Sequence, residues 1–258
     1  MVEKEKLAEA LGVSQEILPY LSELLADLSL LGSWPEEIIE LLKPLKLPAP
    51  LTRVLDLGCG KGSVSIPLAE KLKFQIRGVD LFSPFVKEAR KNAKKSPASN
   101  LCKFEIGDMR DVLKERASYD IVIFASVGSV LGDFEECVGQ LRKAVRPGGY
   151  MVIDDGFLRR ARRLERPGYQ HYRPHKETIR QLTNYGDKLI HEKIYPLSRL
   201  REFNQNTTSL IRRRAEILTE KNPGKAELFA RYVRWEESEC KILETETTWA
   251  TWLLQRAG

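Results

Sequence analysis

Apolar runs and amphipathic stretches alternate along the middle of this chain. The apolar runs have the continuous character of buried parallel strands. They end at or near Leu57, Asp80, Asp108, Ser126 and Ile153. One intervening stretch, 134–145, places Val138, Leu141 and Val145 on one helical face and stops before Pro147-Gly148-Gly149. Strands separated by helices at this spacing predict an α/β fold built on a mostly parallel sheet.

Apolar residues recur at helical spacing in the first 50 positions. They are Ile17, Leu21, Leu24, Leu25, Leu28 and Leu31. The segment Ser33-Trp34-Pro35-Glu36 then predicts a further helix, with Ser33 opening a capping box and the proline in the first turn. Residues 1–50 are therefore predicted to form a helical cap ahead of a domain that spans 51–258.

Beyond residue 156 the pattern predicts helix, strand, long helix and strand. A helix is predicted for 177–185 and a strand for 188–195, where apolar and polar residues alternate. A long helical stretch runs from Leu197 to about Glu236, with a break near 222–224. The segment 242–254 has the threonine, tryptophan and β-branched content of an antiparallel strand. Residues 197–240 are thus a predicted helical insertion between two strands.

The densest chemical signal is the glycine turn Asp56-Leu57-Gly58-Cys59-Gly60-Lys61-Gly62, which closes the first predicted strand. Glycines let the backbone turn sharply and approach a ligand closely, because no side chain occupies the ligand's space. The second strand ends in Asp80, where an acid can accept both hydroxyls of a ribose. Nicotinamide enzymes, the main rival, use G-x-G-x-x-G for a pyrophosphate, whereas the spacing here is G-x-G-x-G. The pattern favours a nucleoside ligand without a pyrophosphate.

The glycine turn together with Val79-Asp80 resembles the cofactor motifs of class I S-adenosylmethionine (SAM) methyltransferases, closely over 50–156 and more loosely elsewhere. The resemblance implies a seven-stranded, mostly parallel sheet with an antiparallel last strand, helices on both faces, SAM as cofactor and S-adenosylhomocysteine (SAH) as product. The implied cofactor-binding residues are Asp56, Gly58, Gly60, Gly62, Asp80, Leu81, Asp108, Met109 and Ser126.

Particular roles follow from the same resemblance. Asp56 would lie near the ligand's ammonium group, Asp80 would bind the ribose, and Asp108 would accept from the adenine amino group while Met109 packs on the ring. Taken singly, Asp80 could be a helix cap and Asp108 a turn residue. N-terminal helices in this family often close over the cofactor. Tyr20 and Trp34 are therefore candidate lid residues, unless the N-terminal helices only cover the sheet.

For catalysis, the resemblance implies direct displacement at the sulfonium methyl group. Alignment can contribute on the order of 7–11 kcal/mol, so a general base is useful but not obligatory. Asp155, after the fifth strand, is the first candidate base, and His171 in the loop beyond is the second. The ordinary alternatives are a helix-capping role for Asp155 and a surface position for His171.

The sequence also narrows the range of possible methyl acceptors. Residues 125–129 lack the proline and aromatic turn with which enzymes of this fold hold a flipped base. No cysteine lies between Cys102 and Cys137 to serve an RNA cytosine-C5 mechanism. A small-molecule acceptor is the leading hypothesis. An RNA or other polymer acceptor, and a non-catalytic SAM-binding regulatory protein, are the alternatives.

The formal net charge of +6 raises the question of an anionic partner. Much of the excess lies in two arginine-rich segments, 159–166 and 212–214. These could hold a carboxylate, a phosphate or an RNA backbone, or could be solvated helix faces. An anionic small-molecule acceptor is therefore one expectation.

The cysteine pattern and the hydropathy limit the cellular location that we expect for the protein. The four cysteines are scattered without a C-x-x-C pair, which argues against a disulfide framework or a zinc site, and no metal is predicted. The charged start and the absence of an apolar run of membrane length argue against a signal peptide or a membrane span. A cytoplasmic location is expected, and the oligomeric state is left open.

Overall fold

A seven-stranded sheet forms the centre of the computed structural model, in the order β3-β2-β1-β4-β5-β7-β6. The strands are β1 Arg53–Leu57, β2 Gln75–Asp80, β3 Cys102–Ile106, β4 Tyr119–Ala125, β5 Val145–Leu158, β6 Lys188–Ile194 and β7 Thr247–Gln255. Strands β1 to β5 pair in parallel, and β7 runs antiparallel to both β5 and β6. The predicted fold class is confirmed.

The structure describes residues 2–115 and 118–258, without the side chains of residues 2–4 and 6. Met1 of the predicted cap therefore lies outside the described residues. The described α-helices are α1 Val2–Ala10, α2 Leu18–Leu24, α3 Pro35–Leu42, α4 Ser65–Leu72, α5 Ser83–Lys94, α6 Met109–Val112, α7 Phe134–Leu141, α8 His175–Leu182, α9 Leu197–Lys221 and α10 Ala226–Glu246. Among them, none combines the length and the apolar character that crossing a membrane demands.

Helices cover both faces of the sheet because alternate strand residues point to opposite sides. On one face, Leu55 and Phe124 pack in the core that includes α7. On the other, Val54 and Ile123 pack in the core that includes α3 and α4. Continuous burial on both faces explains the unbroken apolar runs of the central strands.

A further core joins the N-terminal helices to the α9–α10 hairpin. Leu21 of α2 packs with Ile211 of α9 and Phe229 of α10 in one buried cluster. The same cluster contains Phe82 and Phe85, which directly follow the carboxyl end of β2. The N-terminal segment and the insertion therefore stand together at the carboxyl edge of the parallel strands.

Several predicted element boundaries are wrong. The helix predicted for 134–145 ends at Leu141, the one predicted for 177–185 is His175–Leu182, and β5 continues to Leu158, so Asp155 lies within it. Residues 242–246 continue α10 instead of opening the last strand, because Leu243 is buried in the core on the helix's inward face. Ser33 does not cap α3. The N-cap residue is Trp34, without a side-chain cap bond, and the Ser33 hydroxyl lies 2.7 Å from the Ser126 hydroxyl instead. A bond across the fold has replaced the local one.

Candidate functional site

One cavity of about 1040 Å³ opens at the carboxyl ends of β1, β2, β4 and β5. The sheet order reverses direction between β1 and β4, and ligands of open α/β sheets bind at that switch point. Residues from the glycine turn, the N-terminal segment, the loop 167–172 and helices α9 and α10 also line the cavity. The volume is ample for a nucleoside-sized ligand together with a second small molecule.

Two glycines of the turn have conformations and surroundings that exclude a side chain. Gly58 has φ +76° and Gly60 has φ +52°, both in the left-handed region. A Cβ at Gly58 would lie 2.7 Å from Cγ2 of Val127, and one at Gly60 would lie 2.9 Å from Cδ1 of Leu31. Gly62 lies outside the cavity lining and packs against Ile66 instead. The turn therefore presents bare backbone to the cavity at Gly58 and Gly60.

The acid at the end of β2 holds the glycine turn in shape. Asp80 accepts the backbone N–H of Gly60 at 2.9 Å and that of Phe82 at 2.8 Å, one on each carboxylate oxygen. Burial raises its pKa, although these two hydrogen bonds act in the opposite direction. Because each oxygen has a second lone pair, the carboxylate can still accept ligand hydroxyls in the cavity.

Asp56 lies deeper, beneath the turn. Its carboxylate accepts the Ser65 hydroxyl at 2.5 Å, and it is almost fully buried while still bordering the cavity. Burial raises the pKa of Asp56 to about 6, partly offset by the Ser65 bond. A cationic ligand group nearby would stabilise the charged form.

Of the remaining predicted cofactor residues, two line the cavity and two do not. Asp108 lines the cavity and caps α6, accepting from the backbone and the guanidinium of Arg110, which lowers its pKa. Ser126 lines the cavity with φ +55°, uncommon for a residue other than glycine. Met109 and Leu81 lie outside the lining. Asp108 therefore caps α6 while it borders the cavity, and its ligand role stays a prediction.

The N-terminal segment forms one wall of the cavity, through residues 9–12, 25, 28 and 30–33. Lys61 of the glycine turn fastens it. The Lys61 ammonium group donates to the carbonyl oxygens of Leu25 at 2.6 Å and Leu28 at 3.1 Å and lies 3.4 Å from Glu88. The candidate lid residues Tyr20 and Trp34 lie outside the lining and anchor the cap, Tyr20 against Phe229 and Trp34 against Tyr195.

The two candidate catalytic residues lie side by side at the far end of the cavity. Asp155 Oδ2 lies 3.2 Å from His171 Nε2, and both side chains are 5% exposed. Asp155 Oδ1 accepts the N–H of Gly156 at 2.8 Å and the hydroxyl of Tyr172. Because a carboxylate only accepts, Nε2 of His171 carries the proton and Nδ1 is free to accept one. Nδ1 has no partner among the described residues.

Helix α10 adds two carboxylates that the sequence reasoning missed. Glu236 and Glu239 line the cavity one helical turn apart, and Glu239 accepts the hydroxyl of Tyr169 from the loop. Burial raises the pKa of Glu236 to about 7, with the charge of Glu239 acting in the same direction. Their spacing was visible in the sequence, but two glutamates on a charged helix are typical of a solvated face.

The arginine-rich segments lie elsewhere. No described residue of 159–166 or 212–214 lines the cavity. Arg162 pairs with Glu246, Arg212 with Glu237 and Arg214 with Asp27. Among the described residues, the cavity is lined by eight carboxylates and by two basic side chains besides His171. The expectation of an anionic acceptor held by these arginines thus loses its structural basis.

The family model described as "Methyltransferase domain" matches residues 49–220, two thirds of the chain. Among curated proteins, 2-methyl-6-phytyl-1,4-hydroquinone methyltransferase of Synechocystis sp. is 31% identical over 41% of this chain and 32% of its own length. The tRNA1(Val) (adenine(37)-N6)-methyltransferase of Phocaeicola vulgatus is 26% identical over 48% of this chain and 47% of its own length. The chain thus spans less than half the length of either relative.

A solved structure matches over most of the chain. The SAM-dependent methyltransferase from Geobacter sulfurreducens, in complex with SAH, superimposes with a TM-score of 0.77 over 91% of this chain and 96% of its own. The sequence identity is 18%, so this likeness shows a shared fold.

Proposed function

Because this chain belongs to the methyltransferase-domain family, we propose that it transfers a methyl group from SAM to a small molecule. The observation that carries the proposal is the continuity of this cavity. It connects the glycine turn and Asp80 with the Asp155–His171 pair at its other end. SAM would occupy the first half, and the acceptor would bind in the second.

The residues of the first half fit SAM. Bare backbone at Gly58 and Gly60 lets an amino-acid nucleoside approach the turn, and Asp80 offers lone pairs to the ribose hydroxyls. SAM carries an ammonium and a sulfonium, and the buried carboxylate of Asp56 suits a cationic ligand. When bound, SAM supplies a methyl group that is already activated for transfer.

The residues of the second half would position the acceptor and receive its proton. Asp155 fixes the tautomer and orientation of His171, so that Nδ1 can accept a proton from the acceptor. Tyr172 and Gly156 hold Asp155 in turn. The N-terminal segment, fastened by Lys61, would exclude water from this space. In this arrangement His171 is the base and Asp155 its positioning residue.

The experiment is transfer of labelled methyl from SAM into a cell extract, separated into acid-soluble metabolites and precipitated polymers. We expect label in the soluble fraction, and we expect it to be lost in an Asp80→Asn variant that still folds. SAH binding without label in either fraction would instead favour a non-catalytic SAM-binding protein.

A polymer acceptor is the second candidate. Arg160 and Arg163 are exposed, and one matched relative is by name a tRNA methyltransferase. Phosphate contacts from such arginines would supply salt-dependent affinity. Label that precipitates and is lost on ribonuclease treatment would favour this candidate over the small-molecule one.

A further inference from the structure

The acceptor half of the cavity is rich in carboxylates. Its charged side chains are Asp155, Glu236 and Glu239, with the neutral donors and rings of Tyr169 and Tyr172 between them. The two basic side chains that line the cavity, Arg110 and Lys114, are each paired with their own acid near the adenine end.

We infer that the acceptor carries a positively charged nitrogen, which is held between the carboxylates of Glu236 and Glu239. This inference rests on the proposed function and names the substrate class for the same site. The two side chains stand three residues apart on α10, about 5–6 Å between their Cβ atoms. That spacing lets both carboxylates reach one ammonium group.

Among the described residues, the cation beside this pair of carboxylates is Arg166, which acts on both. Arg166 lies 3.7 Å from Glu239, and its guanidinium stacks 4.2 Å from the ring centroid of Trp235, outside the cavity lining. Both glutamates are partly buried, and with one arginine beside them the pair carries a net negative charge when both are ionised. A partly buried charge without a partner is costly, so a cationic ligand would stabilise the ionised pair and an anionic one would be repelled.

A separate observation marks the same space as a ligand site. The His171 side chain lines the cavity and is only 5% exposed. Its Nδ1 lacks a partner among the described residues. The rings of Tyr169 and Tyr172 lie edge to face with centroids 5.4 Å apart. Both tyrosines and His171 border the cavity, so the acceptor would contact them beside the carboxylates.

The test uses the full-length protein, SAM with a trideuterated methyl group and an acid-soluble metabolite extract. Products are identified by their isotopic mass shift after separation on a cation exchanger at neutral pH. We expect the labelled product to be retained. Labelled products confined to the unretained, anionic or neutral fraction would overturn the inference while leaving the proposed function intact.

Variants then assign the binding residue. Loss of a hydrogen bond to a charged group is worth roughly tenfold to hundredfold in affinity, so Glu236→Gln should raise the acceptor KM by that factor. The kcat of this variant and its Kd for SAH should stay unchanged. The Glu236→Asp variant, which keeps the carboxylate, should recover part of the lost acceptor affinity. The matched control is Glu237→Gln, because Glu237 lies outside the cavity lining and pairs with Arg212.

The outcomes separate the two proposals. An unchanged KM in Glu236→Gln, with the control also unchanged, would overturn the inference. If SAH binds but no product of any charge acquires the label, the proposed function fails, and the inference fails with it.

Discussion

Replacing Lys61 with methionine tests the contact that fastens the N-terminal segment to the glycine turn. The Lys61 side chain is 3% exposed, and its ammonium group donates to the carbonyl oxygens of Leu25 and Leu28 at 2.6 and 3.1 Å. Hydrogen bonds to a charged group contribute about 1.5–3 kcal/mol each. Methionine avoids the cost of burying a charge, which offsets part of the loss. We expect the free energy of unfolding to fall by about 2–4 kcal/mol.

The same substitution should weaken SAH binding, because residues 28 and 30–33 form a wall of the cofactor half. If the unfastened segment is closed in only about a tenth of the molecules, the apparent Kd rises about tenfold. Lysine in a glycine turn could suggest a phosphate ligand, but the two nearest acceptors of its ammonium group are the backbone carbonyls of Leu25 and Leu28.

Urea unfolding followed by circular dichroism and calorimetric titration with SAH would measure the two effects. Lys71→Met is the matched control, since Lys71 is exposed near the end of α4 and should change neither quantity. A Lys61→Met variant within about 0.5 kcal/mol of the wild type, the range of ordinary surface substitutions, would refute the fastening role.

Three further predictions test the site. Asp80→Asn should weaken SAH binding by roughly a hundredfold in calorimetry without unfolding the protein, because charge-assisted bonds to the ribose are lost; unchanged affinity would remove the ribose assignment. Asp155→Asn should lower methyl transfer about 10²- to 10⁴-fold at unchanged SAH affinity, because the amide would donate to Nε2 of His171 and move the ring proton to Nδ1; equal turnover would contradict this. Burial raises the pKa of Asp154 to about 7, so the folded state binds a proton that the unfolded state releases near pH 4. Stability should therefore fall as pH rises from about 4 to 7, by up to about 4 kcal/mol for this group. In urea unfolding, Asp154→Asn should remove this group's share of the pH dependence, while Asp56 and Glu236 still titrate in the same range.

Much of the core was predictable because its signals are local. The glycine turn and the buried strands each follow from the conformations and burial that neighbouring residues allow. The predictions for Ser33 and for the segment 242–246 are wrong because contacts with residues distant in the sequence decide both. The Ser33 hydroxyl lies against Ser126, far away in the sequence, and Leu243 is buried where α10 crosses the sheet core.

The sequence by itself determined the α/β alternation, the nucleoside cradle between Asp56 and Asp80, and the presence of a helical insertion, since each depends on spacing within a short segment. Only the tertiary structure decided which face of α10 turns inward. That orientation depends on how the insertion packs against the N-terminal helices. It brings Glu236 into the same cavity as His171 while the arginine-rich segments stay outside. A charged helix has no local preference for which polar side it buries, so its packing partners make that choice.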